Sequence, residues 1–94
     1  MGLKFEWDNT KAEINYIKHK IRFEEAKTVY NDPNLMTFPD QYHSTDEQRY
    51  LNIGMSDHGH VLVVIHTERG EYIRLISSRK ATAIERRAYE TRES

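Results

Sequence analysis

Residues 47–80 read EQRYLNIGMSDHGHVLVVIHTERGEYIRLISSRK. Three runs rich in β-branched, aromatic and leucine side chains, about Glu47 to Gly54, His60 to Glu68 and Glu71 to Arg79, are separated by Ser56-Asp57-His58-Gly59 and by Arg69-Gly70. Separators that short join antiparallel neighbours, so the stretch predicts a β-meander. The middle run is apolar at both parities, as expected of a central strand covered on both faces. The third begins apolar at Ile73 and Leu75 and ends in the cations Arg79 and Lys80, which serve either the fold or a phosphate.

Upstream, Leu3, Phe5 and Trp7 alternate with Lys4 and Glu6, the period of a half-buried strand. Asp8 or Asn9 is placed to cap a helix from Lys11 to about Lys20, whose apolar stripe is Ile14, Ile17 and Ile21. Lys11, Asn15 and His19 lie four apart on a different face. Phe23, Ala26, Val29 and Tyr30 repeat at helical spacing until Asn31-Asp32-Pro33 ends the segment. Leu35 to Phe38 is a short strand candidate, and the polar stretch from Pro39 to Gln48 reads as a loop. Downstream, Thr82 with Glu85 three residues on is a capping box opening a C-terminal helix. The order of strand, two helices, meander and helix predicts a single α+β domain, its helices gathered on one face of an antiparallel sheet.

The chain has 94 residues, 31% of them charged, a net charge of −1 and no cysteine. The even balance excludes the global polyanion footprint of a strongly basic protein, so any nucleic-acid contact has to be local. Thiolate chemistry and disulfides are excluded. The N-terminus has no long apolar run, and the expected location is the cytoplasm, with no membrane partner. Among His43, His58, His60 and His66 only one pair is two apart, which predicts no zinc site, and no cofactor is expected.

Treating residues 56–59 as a four-residue hairpin loop and 69–70 as a two-residue loop places Arg49 opposite His66 and His66 opposite Ile73. One face then carries Leu51, Ile53, Leu62, Val64, Ile73 and Leu75 to receive the helices, with Glu47, Arg49 and His66 near one end and Arg79 at the other. The second face carries Tyr50, Asn52, Val61, Val63, Ile65, Tyr72, Arg74 and Ile76, too apolar to be bare. A one-residue slip exchanges these sets.

The motifs Trp7-Asp8, Lys11 with Asn15, Lys18-His19, Phe23 to Ala26, Glu47-x-Arg49, Ile53-Gly54, Ser77 to Thr82, and Glu85-Arg86 with Tyr89 occur in the order of the BrnT family of bacterial type II toxins. The resemblance runs from Phe5 to Glu90. It implies a fold similar to RelE ribonuclease toxins and RNA cleavage that inhibits translation. It also implies a BrnA-like antitoxin that covers the active surface and through which the toxin meets operator DNA. One departure is Lys20, where the family commonly has a glycine.

Metal-independent cleavage needs a base for the 2′-hydroxyl, an acid for the leaving 5′-oxygen and cations for the phosphorus. Arginine suits the last role by its planar, permanently charged fork. The catalytic candidates are Arg49, His66, Arg74, Arg79, Tyr89 and Glu47, with Lys80, Lys11 and Arg69 as further RNA contacts. His66 and Glu47 compete as base, Glu47 equally as a salt-bridge partner of Arg49. The arginines serve either phosphate or surface ion pairs, and Tyr89 either the phosphate or the core. Tyr50, Tyr72 and Arg74 are the candidate antitoxin contacts. RNA bound to the ribosome would answer the objection raised by the neutral net charge, and a homo-oligomer is compatible with the sequence. The alternative function is a non-catalytic antitoxin-binding and co-repressor module.

Overall fold

The computed structural model describes residues 2–42 and 46–93. The chain forms β1 (Lys4–Glu6), α1 (Asn9–His19), α2 (Phe23–Ala26), a 3₁₀ segment (Lys27–Asn31), β2 (Met36–Pro39), β3 (Arg49–Met55), β4 (Val61–Arg69), β5 (Tyr72–Lys80) and α3 (Ala83–Glu93). The five strands make one sheet in the order β1-β5-β4-β3-β2. The meander is antiparallel, but β1 joins the edge of β5 in parallel, so the sheet is mixed rather than antiparallel throughout. The helical segments after β1 carry the chain to β2 at the opposite edge of the sheet, and the meander then returns strand by strand to bring β5 beside β1.

Both predicted caps form. Asp8 accepts from the Lys11 amide at 3.0 Å, and at α3 the Thr82 amide donates to Glu85 while the Glu85 amide donates to the Thr82 hydroxyl. At the other end of α1, Lys20 takes the left-handed conformation, φ 62°, and its amide donates to the Tyr16 carbonyl. The geometry of a glycine cap is thus kept by a residue whose Cβ strains it.

Ile21, Phe23, Ala26 and Val29 pack with Leu62, Val64 and Leu75 of the sheet, flanked by Phe5, Trp7, Tyr30 and Ile73. Gly54 lets the 3₁₀ segment close on β3, because a Cβ there would stand 2.8 Å from the Leu35 side chain and 3.2 Å from Val29. The predicted stripe on α1 is overturned: Ile21 is buried, but Ile14 and Ile17 are 57% and 68% exposed. The buried residue of α1 is Asn15. Its Nδ2 donates to the carbonyls of Ile21 and Ser78, and its Oδ1 accepts from the Ser78 amide, which fastens α1 to β5. A polar side chain outranks two isoleucines here because it satisfies backbone groups that would otherwise be buried unpaired.

The other face holds a second cluster of Ile53, Val63, Ala81 and Tyr89, with Met36, Leu51, Val61 and Ile65 around it. Helices therefore lie on both faces, not one: α3 reaches the second face through Tyr89.

Two local features changed the predicted register. The first hairpin closes with Ser56 opposite His60 around a three-residue turn, Asp57 to Gly59, with Gly59 at φ 80°. Arg49 consequently faces Thr67, and Tyr50 faces His66. Further along, Ile65 pairs with Ser77 but His66 pairs with Leu75, leaving Ile76 as the extra residue of a β-bulge. The first slip moves Arg49, Leu51 and Ile53 to the second face, and the bulge moves Arg79 there too.

Candidate functional site

Because both changes act in the same sense, Arg49 and Arg79 still share a face, but His66 lies on the opposite one. On the second face, beyond the part covered by Tyr89, a groove of about 360 Å³ is floored by Leu51, Val63, Ile65 and Ile76 and edged by Asp40, Tyr42, Arg49, Ser77 and Arg79. Beside it, Lys11, Ile14, Asn15, Lys18 and His19 of α1 form a second hollow. The two share Ile76 and Ser77, so they meet at the bulge of β5. The groove carries Arg49 and Arg79 beside Asp40 and the hollow carries Lys11 and Lys18, while the carboxylates of Glu47 and Glu85 pair with the two arginines.

Arg79 is held end-on by Glu85, Nη1 to Oε1 at 2.7 Å and Nη2 to Oε2 at 2.9 Å, and Nη1 also donates to the Lys80 carbonyl. Those three bonds leave two of the five guanidinium N–H groups, on the Nε and Nη2 edge, a pair that suits phosphate oxygens. The same pairing raises the Arg79 pKa and lowers that of Glu85 to about 2. Arg74 pairs with Glu6 at 3.0 Å at the β1 edge, where Lys4 lies over the Tyr72 ring. Glu47 sits 3.8 Å from both Arg49 and Arg69, an ion-pair cluster at the far ends of β3 and β4. Lys80 is exposed beside Arg86 and Glu90, away from the groove.

His66 is buried against the helix-side core. Its Nδ1 lies 2.7 Å from both the Tyr30 hydroxyl and Asn52 Nδ2, and its ring stacks on Tyr50. An amide nitrogen only donates, so Nδ1 accepts and the neutral ring carries its proton on Nε2. Burial lowers the His66 pKa, in keeping with the neutral form. The predicted pairing of His66 with Arg49 is therefore corrected, since the two project from opposite faces. Tyr50 and Tyr72, expected on one antitoxin-facing surface, are likewise separated: Tyr50 is on the helix side with His66, Tyr72 on the second face with Arg74. Tyr89 is 2% exposed and donates to Asp32 at 2.6 Å, the position of a core anchor.

His58 and His60 both lie against Glu25, with His60 Nδ1 2.8 Å from its carboxylate, and Glu25 also accepts from Ser56; the group ties α2 to the β3–β4 turn. His43 lies outside the described residues. Among the described residues no three His, Cys, Asp or Glu side chains gather around a metal position, and no helix is long and apolar enough to cross a membrane. The sequence reading assigned no site role to Asp40 and Tyr42 of the groove or to Lys18 of the hollow. The spacing of Lys11, Lys18 and His19 along α1 was the available signal, and the hollow they line meets the groove at Ile76 and Ser77.

The fold is that of a known toxin: the crystal structure of the Brucella abortus ribonuclease toxin BrnT superposes with a TM-score of 0.68 at 24% identity, over 86% of this chain and 99% of that one. The family model for the ribonuclease toxin BrnT of type II toxin-antitoxin systems matches residues 7–85. The chain belongs to this BrnT family of ribonuclease toxins. No curated protein sequence matches it significantly.

Proposed function

We propose that this chain is a RelE-like, metal-independent endoribonuclease that inhibits translation in the cytoplasm and is neutralised by a BrnA-like antitoxin. The observation that carries the reading is that the groove of Arg49 and Arg79 meets the hollow of Lys11 and Lys18 at Ile76 and Ser77 of β5. In the reaction the RNA 2′-oxygen forms a bond to phosphorus as the bond from phosphorus to the 5′-oxygen breaks. This leaves a 2′,3′-cyclic phosphate and a 5′-hydroxyl. A base removes the 2′-hydroxyl proton and an acid supplies the 5′-oxygen with one. We assign one of these two proton transfers to His19, which is half-buried in the wall of the α1 hollow. Arg49 and the open edge of Arg79 stabilise the charge on the phosphoryl oxygens.

The test is incubation of the purified protein with RNA, with and without chelator, reading product ends. Cyclic phosphate ends that persist with chelator are expected, and Arg79→Ala or Arg49→Ala should slow cleavage about a hundredfold. Intact RNA from folded protein would refute the reading. The ion pairs of Arg74 with Glu6 and of Arg79 with Glu85 favour the alternative of a non-catalytic antitoxin-binding module; growth arrest on expression without the antitoxin separates the two.

A further inference from the structure

The hollow of about 210 Å³ between α1 and the β5 bulge sets two isoleucines among cations. Ile14, 57% exposed, and Ile76, the extra residue of the bulge, both line it, together with Lys11, Lys18, His19 and Ser77. No carboxylate of the described residues shares the lining. Asp8 is close enough to Lys11 for its pKa to be lowered by that charge, but its carboxylate is occupied as the cap of α1, accepting from the Lys11 amide. Among the described residues, Lys18 has no ion pair and neither the His19 ring nor the Ser77 hydroxyl has a hydrogen-bond partner.

Ammonium groups with no carboxylate between them favour an anion, and the isoleucines favour an apolar surface. A free phosphate makes no use of the isoleucines, and an aliphatic ligand makes none of the lysines. A nucleotide whose base has left the stack carries both, a ring with apolar faces beside a phosphate. Size argues against a protein segment as the occupant. A stable protein contact covers about 800 Å² of each partner, whereas a hollow of about 210 Å³ with two isoleucines in its walls has room for one ring. The hollow opens into the groove at Ile76 and Ser77, so a strand whose phosphate lies at Arg79 brings its next nucleotide here.

We propose that the α1 hollow holds one unstacked nucleotide of single-stranded RNA, adjacent to the phosphate at Arg79. Its ring lies against Ile14 and Ile76, and its phosphate meets Lys18 and Lys11, with the Ser77 hydroxyl as a further donor. Ring faces and phosphate are recognised, not base edges, so the contact tolerates any sequence. The inference rests on the RNA-directed reading of the adjoining groove and adds where the neighbouring base goes. It also accounts for Ile14, an isoleucine left exposed on a helix that docks through Asn15.

The experiment is NMR of the full chain with labelled isoleucine methyl groups, titrated with uridine 5′-monophosphate, adenosine 5′-monophosphate and ribose 5-phosphate. Both nucleotides should move the Ile14 and Ile76 methyl signals upfield by ring current and bind about tenfold tighter than ribose 5-phosphate, which has no base. Ile14→Ala should remove most of that tenfold difference while leaving ribose 5-phosphate binding unchanged; the side chain is too exposed for its loss to unfold the protein, and the remaining methyl signals report the fold. Lys18→Gln should weaken all three ligands. Methyl signals unmoved by either nucleotide, equal binding of ribose 5-phosphate, or affinities unchanged by Lys18→Gln would each overturn the inference. Ile14 shifts produced by purified antitoxin but by neither nucleotide would overturn it too, marking the hollow as a protein contact. RNA cleavage without the nucleotide shifts would leave the ribonuclease reading standing while removing this subsite. The shifts without cleavage would do the reverse.

Discussion

Asn15 carries more of the fold than either exposed isoleucine on its own helix. Asn15→Ala removes three hydrogen bonds, two from Nδ2 at 3.0 and 2.9 Å and one to Oδ1 at 3.0 Å. It leaves the buried Ser78 amide and two carbonyls without these partners. An unsatisfied buried group costs about 1–3 kcal/mol, amides more than carbonyls, so the summed loss is about 3 kcal/mol. Out of the roughly 5–14 kcal/mol expected for a domain of this size, that is a large fraction. It corresponds to a fall of about 15 °C in melting temperature. Ile17→Ser, at a position 68% exposed, should change stability by less than about 0.5 kcal/mol. Urea titrations of both variants, analysed with a common slope, measure the two quantities. A near-neutral Asn15→Ala, or an Ile17→Ser that costs about 2 kcal/mol, would refute the packing of α1 described above. Since Asn15 also pins β5 beside its bulge, the first variant should lose RNA cleavage under conditions where it remains folded.

Lys20→Gly should raise stability by about 0.5–1 kcal/mol, read from thermal melts, because glycine relieves the strain at φ 62° at some cost in unfolded-state entropy. Tyr89→Phe should cost about 1.5 kcal/mol by depriving Asp32 of its hydroxyl donor, while leaving cleavage within about twofold; a hundredfold loss in rate would restore Tyr89 to the catalytic site. The Arg79 hydrogen bond chiefly lowers the Glu85 pKa from 4.5 to about 2. A depressed carboxyl stabilises the fold above its unfolded pKa. The contribution, about 1 kcal/mol after solvent screening, should therefore be lost as pH falls from 4.5 towards 2. Glu85→Gln should flatten that acid limb in denaturation measured across pH, and an unchanged limb would show that the pair adds no stability.

The amino-acid pattern by itself determined the elements of this protein and the ends of its helices. Alternation and short polar separators specify strands, and Asp8, Thr82 and Glu85 specify caps, because each depends on residues within a turn or two. The tertiary structure alone decided which side chains meet. A three-residue turn where four residues were expected reverses the faces of β3, since side chains alternate with a period of two, and an extra residue at Ile76 reverses the end of β5. Arg49 and Arg79 thereby share a groove, while His66, which the sequence places beside them, is turned into a neutral network with Tyr30 and Asn52. On α1, apolar spacing points to Ile14 and Ile17, but the face that docks is set by unpaired backbone groups on β5 that only Asn15 can satisfy. Those groups belong to residues 63 positions away, a separation no local pattern reads.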